Sequence, residues 1–168
     1  MSYPIEPLRS DLNKKDFSCG KQLLDNYLQK QAGQDVKRKL CAVFAMTEGT
    51  TIIGYYTLSN AGINREMIPE DLRKKMPASY TDLPATSLLG RLAINEKYRG
   101  KGLGELLLLD ALKRNNQVSQ AQIGSMAIIV DPLDENAEAF YKKYDFISLP
   151  DSKKMFLPMQ SISSLFKP

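Results

Sequence analysis

The chain has 168 residues, 43% hydrophobic and 25% charged, with a formal net charge of +4 from 23 Lys+Arg against 19 Asp+Glu. That length and balance suit one globular domain spanning residues 1–168, able to bury a real core, and exclude a disordered chain. Histidine and tryptophan are absent, which excludes imidazole-dependent triads, His-ligated zinc and the usual pH switch; no metal is expected.

The opening MSYPIEPLRSD has no apolar signal core. No stretch approaches the ~18 apolar residues of a membrane span, so a soluble, cytoplasmic protein is expected. Residues 3–9 suit a first short strand. Ser18 stands where an N-cap belongs, ahead of Leu23, Leu24, Tyr27 and Leu28 at helical spacing. That helix should reach about Gln31, with Gly33 interrupting before a short second turn. Cys19 and Cys41 have no metal-ligand spacing and read as free thiols of a reducing compartment rather than a disulfide. Cys41 lies in an apolar run. Cys19 lies near a helix start, which can lower a thiol's pKa, but no base is close in sequence to make it a nucleophile.

KLCAVFAM (39–46) and TIIGYYTLS (51–59) are β-rich runs joined by Thr47-Glu48-Gly49-Thr50, an antiparallel hairpin. Residues 60–86 are polar and proline-punctuated, with one helical turn expected at 69–75. SLLGRLAI (87–94) reads as a strand, and Leu103–Asn115 as a leucine-rich helix ending on Lys113-Arg114, which suit the negative end of the helix dipole. SMAIIV (125–130) is a buried strand broken by Asp131-Pro132. Asp134 caps a helix running to about Lys143, and 146–149 and 155–157 close the chain as short strands. The expected fold class is α/β, a mixed central sheet with helices on its faces.

Between the strand at 87–94 and the helix at 103 lies Arg99-Gly100-Lys101-Gly102-Leu103-Gly104. Alternating glycines let the backbone turn tightly and approach a ligand, and the helix start offers unpaired N–H groups and a positive dipole end to a pyrophosphate. The spacing matches neither G-x-x-x-x-G-K-[ST] nor G-x-G-x-x-G, because Glu105 falls out of place. The plainer alternative is a surface turn with solvated charges.

This loop resembles the R-x-x-G-x-G acetyl-coenzyme A loop of the GNAT N-acetyltransferases. The downstream VDPLDENAEAFYKKYDF is similar to that family's N-x-x-A-x-x-F-Y-x-x-x-G-F. Asn136, Phe140, Tyr141 and Phe146 match, Ala139 sits one place from strict register, and Asp145 stands where the family has glycine. FSCGKQLLDNYLQKQAGQD, IIGYYTLS, LLGRLAI and FYKKYDF, in that order, resemble the TacT-type GNAT toxins of toxin–antitoxin modules. The resemblance implies a GNAT fold with a splayed strand pair at the acetyl-CoA site. It implies acetyl transfer to the α-amino group of aminoacyl-tRNA, blocking translation, and a ribbon-helix-helix antitoxin as partner; a homodimer is plausible on the same ground.

Carried onto this chain, the resemblance implies that the backbone of Leu92, Ala93 and Ile94 lines the pantetheine. Arg99, Gly100, Lys101, Gly102, Leu103 and Gly104 would hold the pyrophosphate, and Asn136 would bond the pantetheine arm. Tyr141 would be the general acid for the leaving thiolate; a phenol of reference pKa near 10 stays protonated at neutral pH. From helical pattern alone Tyr141 reads equally well as a core aromatic beside Phe140. The strand at 87–94 holds no carboxylate to serve as base. A lysine acceptor would be only about 0.04% free amine at pH 7, whereas an α-amino group is roughly 10–17% deprotonated, which favours the latter.

Lys30, Lys37, Arg38 and Lys39 follow the first long helix, Arg73, Lys74 and Lys75 cluster in the irregular middle, and Arg91 lies on the strand bordering the loop. Clusters of this kind give RNA phosphate contacts, though solvated surface charge is the bland alternative. Two other functions remain open from sequence: a GNAT for a small amine or protein N-terminus, and a non-catalytic RNA-binding module of the same shape.

Overall fold

Gly49, at φ +63°, turns the chain back on itself and joins β2 (Ala42–Glu48) to β3 (Thr51–Asn64) as the expected antiparallel hairpin. Met46 pairs with Gly54 and Thr47 with Ile52, which leaves Ile53 as the extra residue of a β-bulge. The computed structural model describes residues 2–77, 79 and 82–167. Its seven strands run β1-β2-β3-β4-β5-β7-β6 across one sheet, with β1 at Ile5–Pro7, β4 at Asp82–Ile94, β5 at Ala127–Val130, β6 at Ile147–Ser148 and β7 at Met155–Pro158. The chain divides into two compact units, Met1–Ser59 with Leu89–Ala111, and Asn60–Leu88 with Leu112–Pro168.

In the first unit, helices cover both faces of the strands. Val43, Ala45, Ile52 and Tyr55 pack with Tyr27 and Leu28 of α1 (Gln22–Lys30) and Ala32 of α2 (Ala32–Lys37). On the opposite face Met46 and Ile53 pack with Leu103 and Leu107 at the start of α4 (Leu103–Ala121). Leu28 and Leu107 are 0% exposed, so truncating either to Ala should cost about 2–5 kcal/mol. Gly54 allows this layering: a Cβ there would stand 2.7 Å from Ile94 Cδ1, 2.8 Å from Ala93 O and 2.9 Å from Leu107 Cδ1.

Two expectations about the first helix need correction. α1 begins at Gln22, and Ser18 is not its cap, because Gly20 at φ +86° turns the chain before the helix starts. Ser18 Oγ donates instead to Glu96 Oε1 at 3.1 Å, and Asp25 Oδ1 reaches back to accept from Cys19 N at 2.9 Å. The helix breaks at Gln31 (φ −124°, ψ −35°), and Gly33 lies inside α2. α2 closes with Lys39 at φ +63°, Lys39 N bonding Val36 O and Leu40 N bonding Asp35 O, the geometry that glycine usually fills.

In the second unit, the stretch expected to be irregular is strand at both ends, since β3 runs on to Asn64 and β4 starts at Asp82. Between them lies the short helix α3 (Glu70–Arg73), where Arg65 donates to the carbonyls of Arg73, Met76 and Pro77. α4 does not end near Asn115 but continues to Ala121, so Lys113 and Arg114 lie inside it rather than at its dipole end. The polar NQVSQA tail holds no breaker before Gly124, and buried Asn116 accepts from Ser163 Oγ at 2.7 Å. Ser163 belongs to α6 (Met159–Leu165), an element with no counterpart among the expected ones. α5 (Glu135–Lys143) starts as expected, with Asp134 Oδ1 accepting from Ala137 N at 2.9 Å. The mixed α/β class stands.

Candidate active site

β4 delivers the chain to the glycine loop through Asn95, which is buried and fully used. Its N–H donates to Ile53 O at 2.7 Å, its Nδ2 to Ile52 O at 3.3 Å, and its Oδ1 accepts from Lys97 N at 3.1 Å. After the short turn Glu96–Tyr98, Gly100 (φ +79°) and Gly102 (φ +72°) both adopt the left-handed backbone. A Cβ at either would meet nothing within 4 Å, so these glycines serve the turn and leave open space beside the loop. Leu103 is buried against Met46 and Leu107 and fixes where α4 begins. The N–H groups of its first turn therefore face outward from a rigid start, with the positive end of a 19-residue helix behind them. A helix start of this kind can accept an anionic group.

The site residues expected from sequence have different fates. Leu92 and Ile94 pack into the α4-facing cluster and Ala93 into the α1-facing one, so only their backbone remains for a ligand. Lys101 is exposed, its Nζ 5.4 Å from the Tyr98 ring centre. Gly104 lies in the first turn of α4. The Arg99 guanidinium donates to the carbonyl of Cys19, a partly buried bond made by an exposed residue. Asn136 is exposed in the first turn of α5.

Tyr141 is buried at 7% exposure among Phe140 and Phe146, with ring centres 5.3 and 5.2 Å away. Burial pushes its phenol well above the ordinary tyrosine range. Among the described residues its hydroxyl has no hydrogen-bond partner. Asp145 adopts φ +70°, the left-handed conformation that a glycine would hold, and closes α5 through Asp145 N to Lys142 O and Phe146 N to Tyr141 O. The helix end is thus built normally on a residue that tolerates it less well.

Cys19 is a free cysteine, and burial raises its thiol to about 11 rather than giving the lowering that a helix start can produce. Cys41 is also a free thiol, 3.2 Å from Tyr27 Oη. Tyr27 donates to buried Asp35 at 2.8 Å, and the Arg91 guanidinium carbon stacks 3.5 Å from the Tyr27 ring centre. Arg91 is therefore seated on α1.

The basic clusters differ. Lys30 and Lys37, joined by Lys14 and by Arg9, line a cavity of about 380 Å³ together with Gln29 and Gln34; the lining itself holds no carboxylate, although Arg9 pairs with Asp11 at 3.0 Å and Glu6 at 3.5 Å. Arg38 and Lys39 are exposed just beyond it. In the other unit Arg73 pairs with Glu66 at 3.6 Å and Lys74 with Glu70 at 3.5 Å, while Lys75 is exposed. Sequence reasoning missed Arg9 and Lys14 because both lie outside the longer basic runs, Arg9 alone and Lys14 only paired with Lys15; only the fold brings them to the α1–α2 junction. Among the described residues no three His, Cys, Asp or Glu side chains cluster as metal ligands, and no helix is long and apolar enough to cross a membrane.

A family model described as an acetyltransferase (GNAT) domain matches residues 39–148. A probable toxin TacT of Sinorhizobium fredii is 35% identical, covering 96% of this chain and 92% of its own length. A tRNA-acetylating toxin of Mycobacterium tuberculosis is also 35% identical, covering 89% of this chain and 87% of its own. The AtaT toxin complexed with acetyl-methionyl-tRNAfMet superposes with a TM-score of 0.89 at 30% identity, covering 99% of this chain and 100% of that one. A tyrosine-to-phenylalanine variant of AtaT, bound to the C-terminus of the antitoxin AtaR and to acetyl-CoA, gives a TM-score of 0.80 at 27% identity over 98% of each chain.

Proposed function

The chain belongs to the GNAT acetyltransferase family, and on that premise we propose that it is a toxin that transfers the acetyl group of acetyl-CoA to the α-amino group of aminoacyl-tRNA, blocks translation, and is neutralised by an antitoxin. The observation that carries the acetyl-CoA part is the glycine loop, with left-handed Gly100 and Gly102 leading into the start of α4. The likeness to the tRNA-acetylating toxin and to the AtaT complexes supports the acceptor and the antitoxin.

In this reading the N–H groups at the start of α4 hold the pyrophosphate, Lys101 adds charge, and the backbone of Leu92, Ala93 and Ile94 aligns the pantetheine with help from Asn136. The acceptor amine attacks the thioester carbonyl carbon. A C–N bond forms, the C–S bond breaks, and the amine's proton leaves to solvent. Tyr141 gives its phenolic proton to the departing sulfur and regains one from solvent. Its burial and open hydroxyl support that role. The α-amino acceptor, partly deprotonated near neutrality, needs little base.

The carboxylate-free cavity at Lys30 and Lys37, with exposed Arg38 and Lys39, supports RNA phosphate contacts there. Arg73, Lys74 and Lys75 add to the RNA contact in this reading, and Arg91 contributes from its seat on Tyr27. Residues 1–168 form one acetyltransferase domain, a reading supported by a family match that draws on both compact units. A ribbon-helix-helix antitoxin and a homodimer, which rest on family resemblance, and a cytoplasmic site, which suits a tRNA substrate, complete the proposal. Purified protein incubated with labelled acetyl-CoA and charged total tRNA should place label on aminoacyl-tRNA. Label only on bulk protein or small amines would overturn the proposal.

A further inference from the structure

Arg99 opens the glycine loop and is exposed as a residue, yet its guanidinium turns back on the protein, where Nη2 donates to the Cys19 carbonyl. Gly20 shapes the seat for it: Gly20 holds φ +86°, and a Cβ there would stand 2.5 Å from Arg99 Nη2. The N–H of Cys19 donates to buried Asp25 Oδ1 at 2.9 Å, in the first turn of α1. One peptide segment is thus gripped by α1 through its N–H and by the glycine loop through its carbonyl. A second strap lies beside it, Glu96 N to Ser18 O at 2.8 Å and Ser18 Oγ to Glu96 Oε1 at 3.1 Å. α1 carries Lys30 at its C-terminal end, on the wall of the basic cavity.

We propose that Arg99 is a positioning residue rather than a pyrophosphate ligand, locking the Ser18–Gly20 segment, and with it α1, to the glycine loop so that the donor and acceptor sides of the reaction share one geometry. The proposal rests on the acetyltransferase reading for its kinetics, but the lock itself is a property of the free chain. A hydrogen bond from a charged donor shifts a local opening equilibrium about 10- to 150-fold.

Amide hydrogen exchange on the full chain without ligand compares wild type with Arg99→Ala. Residues 19–26 should exchange at least about tenfold faster in the variant, with the β5 and β7 amides unchanged. Unchanged exchange at 19–26 overturns the lock. Kinetics then separate positioning from phosphate binding, with acetyl-CoA and with S-acetylpantetheine, which lacks the pyrophosphate. A positioning role predicts the same fold loss with both donors and a raised KM for aminoacyl-tRNA. A loss confined to acetyl-CoA makes Arg99 a phosphate ligand and overturns the proposal. Gly20→Ala fills the seat without changing any charge and should reproduce the donor-independent loss; a loss confined to acetyl-CoA there too would overturn it. If no aminoacyl-tRNA is acetylated by wild type, the transfer reading fails, and the exchange comparison alone decides the lock.

Discussion

Tyr141→Phe removes one oxygen from a ring that is otherwise packed on Phe140 and Phe146. Because the hydroxyl has no partner among the described residues, its loss leaves nothing unsatisfied, and stability should change by no more than about 0.5 kcal/mol, roughly 1–2 °C in Tm. Loss of a general acid should lower turnover by about 10²–10⁴-fold, or ~2.7–5.4 kcal/mol of barrier. The two effects differ enough that thermal melts and single-turnover acetylation of charged tRNA separate them. Burial holds the phenol above its ordinary range, so the donor stays protonated through about pH 9. The wild-type rate should therefore rise with pH as the acceptor amine deprotonates and then level, with no falling limb below about pH 10. The same burial contributes stability that is complete below the unfolded pKa near 10 and is lost as pH climbs toward the higher folded value. The phenylalanine variant should keep the rising limb at a lower level. Activity within about threefold of wild type would return Tyr141 to the core, and a falling limb near pH 8–9 that disappears in the variant would refute the burial argument.

Charge reversal at Lys30 and Lys37 should weaken tRNA binding and flatten the plot of log affinity against log salt by about 0.7–0.9 for each phosphate left unneutralised. Reversal at Lys74, already facing Glu70, should change the slope less; equal effects at both places would mean that the cavity does not bind RNA. Asp145→Gly should raise stability by about 0.5–1 kcal/mol, because glycine holds φ +70° without Cβ strain; a lower Tm would show that the aspartate makes a compensating interaction. Cys19, with its thiol raised to about 11, carries about 200-fold less thiolate at pH 8 than a free cysteine. Iodoacetamide with mass-spectrometric readout should accordingly label it far more slowly than Cys41, and parity between the two would contradict its burial.

What is legible from sequence is whatever a short window contains. The hairpin turns on Gly49, the cap on Asp134, and the glycine loop announces itself by three glycines ahead of a leucine run. Asp145 likewise stands out against the family pattern, and its backbone is the left-handed one that a glycine would hold. The differences arise where partners lie far apart in the chain. Residues 60–64 and 82–86 carry no local strand signal although β3 and β4 extend over them, and α6 is a run of mixed polarity that Ile162 anchors by burial. Ser18 looks like a cap because its real partner, Glu96, is 78 residues away. Arg99 and Arg91 look like free cations for the same reason; Cys19 and Tyr27 take them up only in the folded chain.

Gly54 limits how this protein can change over generations. Every substitution at that position adds a Cβ, and any Cβ there meets three atoms at under 3 Å. Shortening both Ile94 and Leu107 would relieve two of those clashes, one each. The third, Ala93 O at 2.8 Å, is backbone, and no second-site side-chain replacement removes it. A lineage that loses this glycine has no single compensating step available and must shift β4 itself. Drift at Gly54 is therefore closed off by a carbonyl oxygen, while neighbouring side chains remain free to vary in size.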